Sequence, residues 1–268
     1  MAGKRLDPKP PHDLLVEPGS APALETRDPG VRVCAAGKEE GLVRLDEVVE
    51  RIGVLHDRLF AEATRAVLLV LQGMDASGKD GTIRKVFTGL NPQGCRVVSF
   101  KVPVGAELAH DYLWRVHAAC PARGEIAIFN RSHYEEVVAA RVRKIVPAEV
   151  WMRRYEHIRG FERLLADEGT AILKVFLHVS REEQKKRLDE RVQNPEKRWK
   201  YRAEDLDDRK LWPDFMAAYE DAIRETSTEW APWYVVPADH NWVRTLAVGE
   251  LLLQTLERLD PQLPEAAL

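Results

Sequence analysis

Residues 68–83 read LLVLQGMDASGKDGTI. An unbroken apolar run ends at Leu71, a glycine loop follows, and a helical pattern starts at Lys79. Gly73 to Lys79 fits G-x-x-x-x-G-K, the loop in which backbone N–H groups and a lysine surround phosphate oxygens. The pattern then asks for Ser or Thr and finds Asp80, with a second acid, Asp75, inside the loop. Carboxylates beside phosphate repel it unless a cation lies between them. Mg²⁺ takes oxygen ligands and joins carboxylate to phosphate. Asp75 is therefore the candidate metal ligand in place of the missing hydroxyl. Asp80 serves either as a second ligand or as an acid favouring the first turn of the helix, and Thr82 is a further candidate. Gly73, Ala76, Ser77, Gly78, Lys79, Asp80, Gly81 and Thr82 make up the expected phosphate cradle.

The surrounding sequence places this loop in a fold. Apolar runs at 66–71, 96–101, 125–129, 171–179 and 233–236 read as strands, most of them apolar on both faces, as in a parallel sheet covered by helices. Helical patterns occupy 42–63, 79–90, 105–119, 147–168, 181–192, 207–226 and 241–259. Strand–helix alternation with a glycine loop after the first run predicts a three-layer α/β architecture: a parallel five-stranded sheet flanked by helices. Residues 1–40, rich in Pro, Gly and charge, read as an extended N-terminal arm. Residues 41–268 read as one domain.

A second motif, EIAIFNRSHYEEV at 125–137, follows another buried run. Its strand end carries Asn130, a neutral oxygen donor for metal or hydrogen bonds, and Arg131, whose planar fork suits phosphate or a structural ion pair. Glu135 and Glu136 fall at the mouth of the same site, as ligand-facing acids or as a solvated helix start. His133 reads as a neighbour rather than a catalyst. A third feature is charge. Residues 181–202 hold nine Lys or Arg and five Asp or Glu, in a chain whose net charge is −3. Arg187 and Arg191 share a helix face one turn apart, and Lys197, Arg198 and Lys200 follow. So many cations over a phosphate site suit a donor with many phosphates better than a single triphosphate.

Composition narrows the function class. At 45% hydrophobic and 31% charged over 268 residues, the chain reads as a globular enzyme. No apolar run reaches a membrane span, and residues 1–15 lack a signal-peptide core, so the expectation is a cytoplasmic protein with no membrane partner. The slight net acidity argues against nucleic acid. Cys34, Cys95 and Cys120 have no metal-ligand spacing and read as reduced thiols.

Four stretches carry a family resemblance: GMDASGKDGTIRKVF at 73–87, IFNRSHYEEV at 128–137, NPEKRWKY at 194–201 and TSTEWAPWYVVPADHNW at 226–242. From about residue 40 to 258 the chain resembles the second family of polyphosphate kinases, P-loop kinases related in fold to thymidylate kinase. The resemblance implies transfer of the terminal phosphoryl group of inorganic polyphosphate to AMP or ADP, with ATP among the nucleotides handled, and Mg²⁺, or Mn²⁺ in its place, as cofactor. It implies a helical basic lid near 181–212, homo-oligomers (dimers or tetramers), metal at Asp75, catalytic roles for Asp75, Lys79, Arg131 and Arg191, and a polyphosphate path along Arg131, Arg191, Arg198 and Lys200; read from their own positions, Asn130 is a second candidate at the metal and Arg187 a further candidate on the path. Trp114 and Arg115, with Asn130 and Glu135, are the candidates facing the acceptor nucleotide. Trp114 and Arg115 are open to a packing role too. Many relatives read FDRS-W-Y-N where this chain reads FNRS-H-Y-E. The exchange of charge between 130 and 135 resembles the branch that accepts both nucleoside mono- and diphosphates. An ATP-dependent nucleotide kinase and a binding protein without turnover are the competing readings.

Overall fold

In the computed structural model, the described residues are 14–196, 198–200 and 204–265, with the side chains of 200 and 204–206 outside the description. The strands are β1 (Leu15–Val16), β2 (Ala66–Gln72), β3 (Cys95–Ser99), β4 (Ile126–Asn130), β5 (Thr170–His178) and β6 (Trp233–Pro237). The helices are α1 (Lys38–Glu62), α2 (Lys79–Val86), α3 (Trp114–Ala118), α4 (Ala139–Val142), α5 (Ala148–Asp167), α6 (Arg181–Gln193), α7 (Glu204–Lys210), α8 (Trp212–Thr226) and α9 (Asn241–Leu259).

The sheet order is β1-β6-β5-β2-β4-β3. The five expected strands all run parallel. The sixth, β1, corrects the five-stranded reading. It comes from the arm and pairs antiparallel to β6, Leu15 opposite Tyr234 and Val16 opposite Trp233. Ser227 Oγ donates to Val16 O at 2.6 Å, and Ala23 N and Leu24 N donate to the Glu220 carboxylate at 2.9 Å each. Leu14, Val16 and Leu24 are buried, so a stretch without periodicity still finds an apolar seat.

Every residue of β2 is buried, which is why that run shows no alternation. Helices α1, α2 and α9 pack together on one face, with α9 against β5 and β6; α5 lies on β5 and against α8 on the other. Two expected helices are broken. Between 105 and 119 the chain makes a 3₁₀ turn at Gly105–Ala109 and a short α3. His110 is extended, and the Asp111 carboxylate takes the Leu113 N–H at 2.9 Å, an Asx turn that competes with helix. The stretch 207–226 divides at Leu211, because Pro213 lies in the first turn of α8, where a missing N–H costs nothing.

Candidate active site

The phosphate loop leaves the carboxyl end of β2, beside β4 and β5. Gly73 and Gly78 have φ of +147° and +104°, and a Cβ at Gly78 would lie 2.1 Å from Arg244 Nη1. Only glycine satisfies both demands. Helix α2 opens at Lys79, and its first closed turn is Thr82 N to Gly78 O at 3.0 Å. The N–H groups of Lys79, Asp80 and Gly81 thus have no partner inside the helix and form an anion-attracting end. Lys79 Nζ donates to Gly73 O (2.6 Å) and Met74 O (3.2 Å), folded back on its own loop. Burial, then the adjacent Arg131, push its ammonium down to about 8.

The acids face the second motif. Arg131 Nη2 meets Asp75 Oδ1 at 2.5 Å, and Nη1 meets Glu135 Oε2 at 3.4 Å. Burial opposes the charge on Asp75, but Arg131, Lys79 and Arg191 outweigh it and hold the carboxyl below its usual range. Glu135 and Asp75 hold Arg131 firmly protonated against the cost of its burial. Arg131 adopts φ of +63°, a left-handed backbone uncommon for a side chain this large. Its N–H bonds to Leu71 O at 3.1 Å, so the turn is tied to the strand that feeds the phosphate loop. Asn130 Nδ2 donates to Asp80 Oδ1 at 2.9 Å. The Gln72 amide, oriented so that its oxygen accepts from Ser132, donates to Glu135 Oε1 at 3.1 Å. Glu136 turns away to Arg154 (2.7 Å) and Arg115 (3.8 Å).

Among the described residues no three His, Cys, Asp or Glu side chains gather to hold a metal unaided. The donors present still fit a hard cation, since Mg²⁺ is held by one or two carboxylates and completed by phosphate oxygens and water. Asp75, kept ionised, and Asp80, across from the Asn130 amide, supply such carboxylates.

Beneath the second motif lies a fully buried polar network. Lys174 Nζ donates to Glu162 Oε2 (2.6 Å), Tyr134 Oη (3.0 Å) and Thr226 O (2.7 Å), and Tyr134 Oη joins Glu162 Oε1 (2.8 Å). His133 Nε2 lies 3.3 Å from the same carboxylate. Burial lowers the Lys174 ammonium, whereas for Glu162 the pairing with Lys174 outweighs burial and keeps it charged. His133 is thus enclosed in a structural network, away from solvent.

Two arginines absent from the sequence reading as loop supports lie under the phosphate loop. Arg244 is buried; it donates to Thr82 Oγ1 (2.8 Å), Ser77 O (3.2 Å) and Asn241 Oδ1 (2.9 Å). Arg187 donates to Ala76 O (3.1 Å), Ser77 O (3.2 Å), Ala238 O and Asp239 O (2.7 Å each), and Glu183 Oε1 (3.0 Å). Burial and proximity to Arg187 bring Arg244 down to about 10. A single Arg in a C-terminal amphipathic helix gives no sequence signal. The signal that existed for Arg187 was its face shared with Arg191, and that face divides: Arg187 is spent on backbone carbonyls. Thr82 and Ser77 are likewise fully buried, the Thr82 hydroxyl on Arg244 and the Ser77 hydroxyl with no protein partner. Arg191 is half-buried within the field of Asp75, and Arg198 is exposed with Nε on Val192 O at 3.2 Å. The Lys200 side chain, and Lys197, lie outside the described residues. Trp114 is exposed and stacks on His110 at 4.3 Å. Arg115 binds Lys101 O (2.8 Å) and Glu107 (3.2 Å) and reaches the second motif through Glu136.

A phosphate loop facing an Asn-Arg strand end, with an arginine-rich helix packed on it, is matched by known proteins. The family model described as Polyphosphate kinase 2 (PPK2) covers residues 36–264. The chain belongs to the polyphosphate kinase 2 family. Within this family it is 55% identical over 251 residues to the AMP/ADP-polyphosphate phosphotransferase of Meiothermus ruber, spanning 93% of this chain and 94% of that one. It is 47% identical over 229 residues to the ADP-polyphosphate phosphotransferase of Rhodopseudomonas palustris, spanning 81% and 79%. Its fold is similar to the crystal structure of Polyphosphate Kinase 2 from Arthrobacter aurescens TC1, with TM-score 0.93 at 40% identity over 97% of this chain and 93% of that one. No helix among the described residues is long and apolar enough to cross a membrane. The three cysteines are unpaired and half-buried, and burial raises each thiol: Cys95 to about 11, Cys34 and Cys120 to about 12.

Proposed function

We propose that this polyphosphate kinase 2 enzyme moves the terminal phosphoryl group of inorganic polyphosphate onto AMP and onto ADP, reversibly, in the cytoplasm. The observation that carries the reading is the Asp75–Arg131–Glu135 array facing Lys79 and the free end of α2. The loop N–H groups and Lys79 take the phosphate under attack. Lys79 leaves the loop carbonyls for the phosphate oxygens, and a bound polyanion restores the proton that burial loosens. Arg131 holds charge that develops on the transferring group. Preorganised donors of this kind supply most of the rate in phosphoryl transfer.

Mg²⁺, with Mn²⁺ as alternative, would be held by Asp75, with Asp80 and the Asn130 oxygen as neighbours, and would neutralise phosphate charge. Arg191 and Arg198 line the polyphosphate path as part of a basic lid. Arg187, Arg244 and Thr82 serve the site by fixing the loop. Asn130 and Glu135 set acceptor length, and Arg115 orients Glu136 at the acceptor side. The enzyme works as a homo-oligomer.

The test is purified protein with divalent metal, long-chain polyphosphate and AMP or ADP, without ATP, nucleotides being separated over time with an EDTA control. ADP and ATP formed from AMP is the expected result. Product from ADP alone keeps the kinase and rejects the acceptor reading of Asn130 and Glu135. Product only when ATP replaces polyphosphate assigns an ordinary nucleotide kinase.

A further inference from the structure

Gln184 is fully buried on α6, an unusual place for a long polar side chain. Both ends of its amide are satisfied, each by a different part of the site. Nε2 donates to the backbone carbonyl of Asp75 at 3.0 Å. Oε1 accepts from Arg209 Nη1 on α7 at 2.9 Å. The same Arg209 nitrogen reaches Arg181 O at 2.6 Å, and Arg181 Nη2 returns to Arg209 O at 3.4 Å, so α7 is seated on the first turn of α6. From the other side, Arg143 Nη2 holds both oxygens of Asp208, the neighbour of Arg209 in sequence, at 2.7 and 2.8 Å.

These contacts form one line: Arg143 fixes Asp208, Asp208 and Arg209 fix α7, Arg209 polarises the Gln184 amide, and that amide fixes the peptide of Asp75, whose carboxylate meets Arg131. A hydrogen-bonded amide relays order because strengthening one end strengthens the other. Resting on the phosphotransferase reading above, we infer that Gln184 and Arg209 are positioning residues through which the seating of α7 sets the geometry of Asp75 and of the phosphate loop. Neither touches the reacting phosphate. Their effect passes through the Asp75 backbone, so it falls on kcat and on the metal concentration needed for half-activation more than on nucleotide KM.

The experiment pairs kinetics with hydrogen exchange of peptides covering 75–79 and 204–210, with and without polyphosphate, in the wild type, Gln184→Leu, Gln184→Glu and Arg209→Ala. In the wild type both peptides gain protection together when polyphosphate binds. Gln184→Leu keeps the size and removes both bonds; its loop peptide fails to gain protection, kcat falls about fivefold to tenfold, and the half-activating metal concentration rises, as loss of one or two buried hydrogen bonds predicts. Gln184→Glu keeps the Arg209 contact but has no donor for Asp75 O. It retains protection at 204–210 and behaves like Gln184→Leu at the loop. Wild-type kcat, metal response and loop protection in Gln184→Leu would overturn the inference. So would a uniform loss of protection with a lowered Tm and an unchanged metal response, which marks a packing residue. A wild type that binds polyphosphate but does not turn it over would defeat the function proposed above instead, because the protection gained on binding judges the relay without turnover.

Discussion

Arg187 and Arg191 lie one turn apart on α6, and they belong to different regions. Arg187, with Arg244, is part of a floor in which almost every guanidinium donor ends on a named carbonyl or hydroxyl of the phosphate loop and its supports. Arg191 and Arg198 belong to the basic outer stretch, half-buried and exposed. The residue type is the same, but the physics differs. In the floor a guanidinium is a planar multi-donor joint, and its removal strands buried acceptors. At exposed Arg198 it is a charge whose influence passes through water and is weakened by salt. Positive charge near a phosphate site therefore does not by itself mark a phosphate ligand.

The largest effect separates both regions from Lys79, the lysine proposed to act on the phosphate. Lys79→Ala should lower kcat by at least ~10²-fold, the scale of removing one preorganised electrostatic donor. Its pH signature is specific. The free enzyme holds the Lys79 ammonium at about 8, below the ordinary lysine range, through burial and Arg131. As pH rises through about 8 the charge is lost, so kcat/KM, which reports the free enzyme, falls there. The limb in kcat lies higher, since bound phosphate favours the charged form. Stability moves the other way: between about 8 and the unfolded lysine value the unfolded chain binds more protons, so the ligand-free protein gains stability with rising pH. A pH–rate profile and thermal melts of the ligand-free enzyme check both signs.

The floor comes next. Arg187→Lys keeps the charge and loses the planar donor set that reaches five oxygens. We expect kcat down about tenfold and stability down by about 2 kcal/mol, the worth of charged hydrogen bonds left unmade. Neither loss should respond to ionic strength, and added polyphosphate should not rescue kcat. Steady-state kinetics at two salt concentrations and denaturant melts decide this. A variant whose only defect is polyphosphate KM would move Arg187 back to the outer stretch.

A smaller effect concerns selectivity. In Asn130→Asp the donated hydrogen bond to Asp80, 2.9 Å long in this chain, becomes a contact between two carboxylates that needs a cation to be tolerated. Combined with Glu135→Asn, which removes one of the two acids holding Arg131, the substitution should shift the AMP-to-ADP rate ratio severalfold and raise the dependence of Tm on added metal. An unchanged ratio would separate acceptor choice from these positions.

How much of this was legible in the sequence follows the same division. The buried strand, the glycine loop and Arg131 after β4 are local patterns whose chemistry depends on neighbours in the chain, and they were readable. The five parallel strands followed from apolar runs of the right length. What escaped reading depends on distant residues meeting. Arg244 reaches Thr82 from 162 positions away, Gln184 reaches Asp75 from 109, and β1 pairs with β6 although its two residues carry no pattern. The helix expected over 105–119 failed for a local reason, the Asp111 side chain bonding its own backbone. The shared helix face of Arg187 and Arg191 was read correctly as geometry, but a period of 3.6 does not tell which turn of that face lies over the loop.

The smallest effect tests the outer stretch itself. Arg198 is exposed, with its Nε on Val192 O. Arg198→Ala should leave kcat and Tm near wild type and raise polyphosphate KM about twofold to threefold at low salt, the scale of a solvent-screened ion pair. Because the Debye length shrinks from about 30 Å at 0.01 M to about 8 Å at 0.15 M, the difference from wild type should narrow as salt rises, whereas the Arg187→Lys defect should not. Acceptor KM should stay unchanged if charge in this stretch acts, as proposed, on the long polyanion rather than on a mononucleotide. If Arg198→Ala instead lowered kcat at every salt concentration, its guanidinium would act at a fixed point on the donor, and the outer stretch would be built on the same principle as the floor.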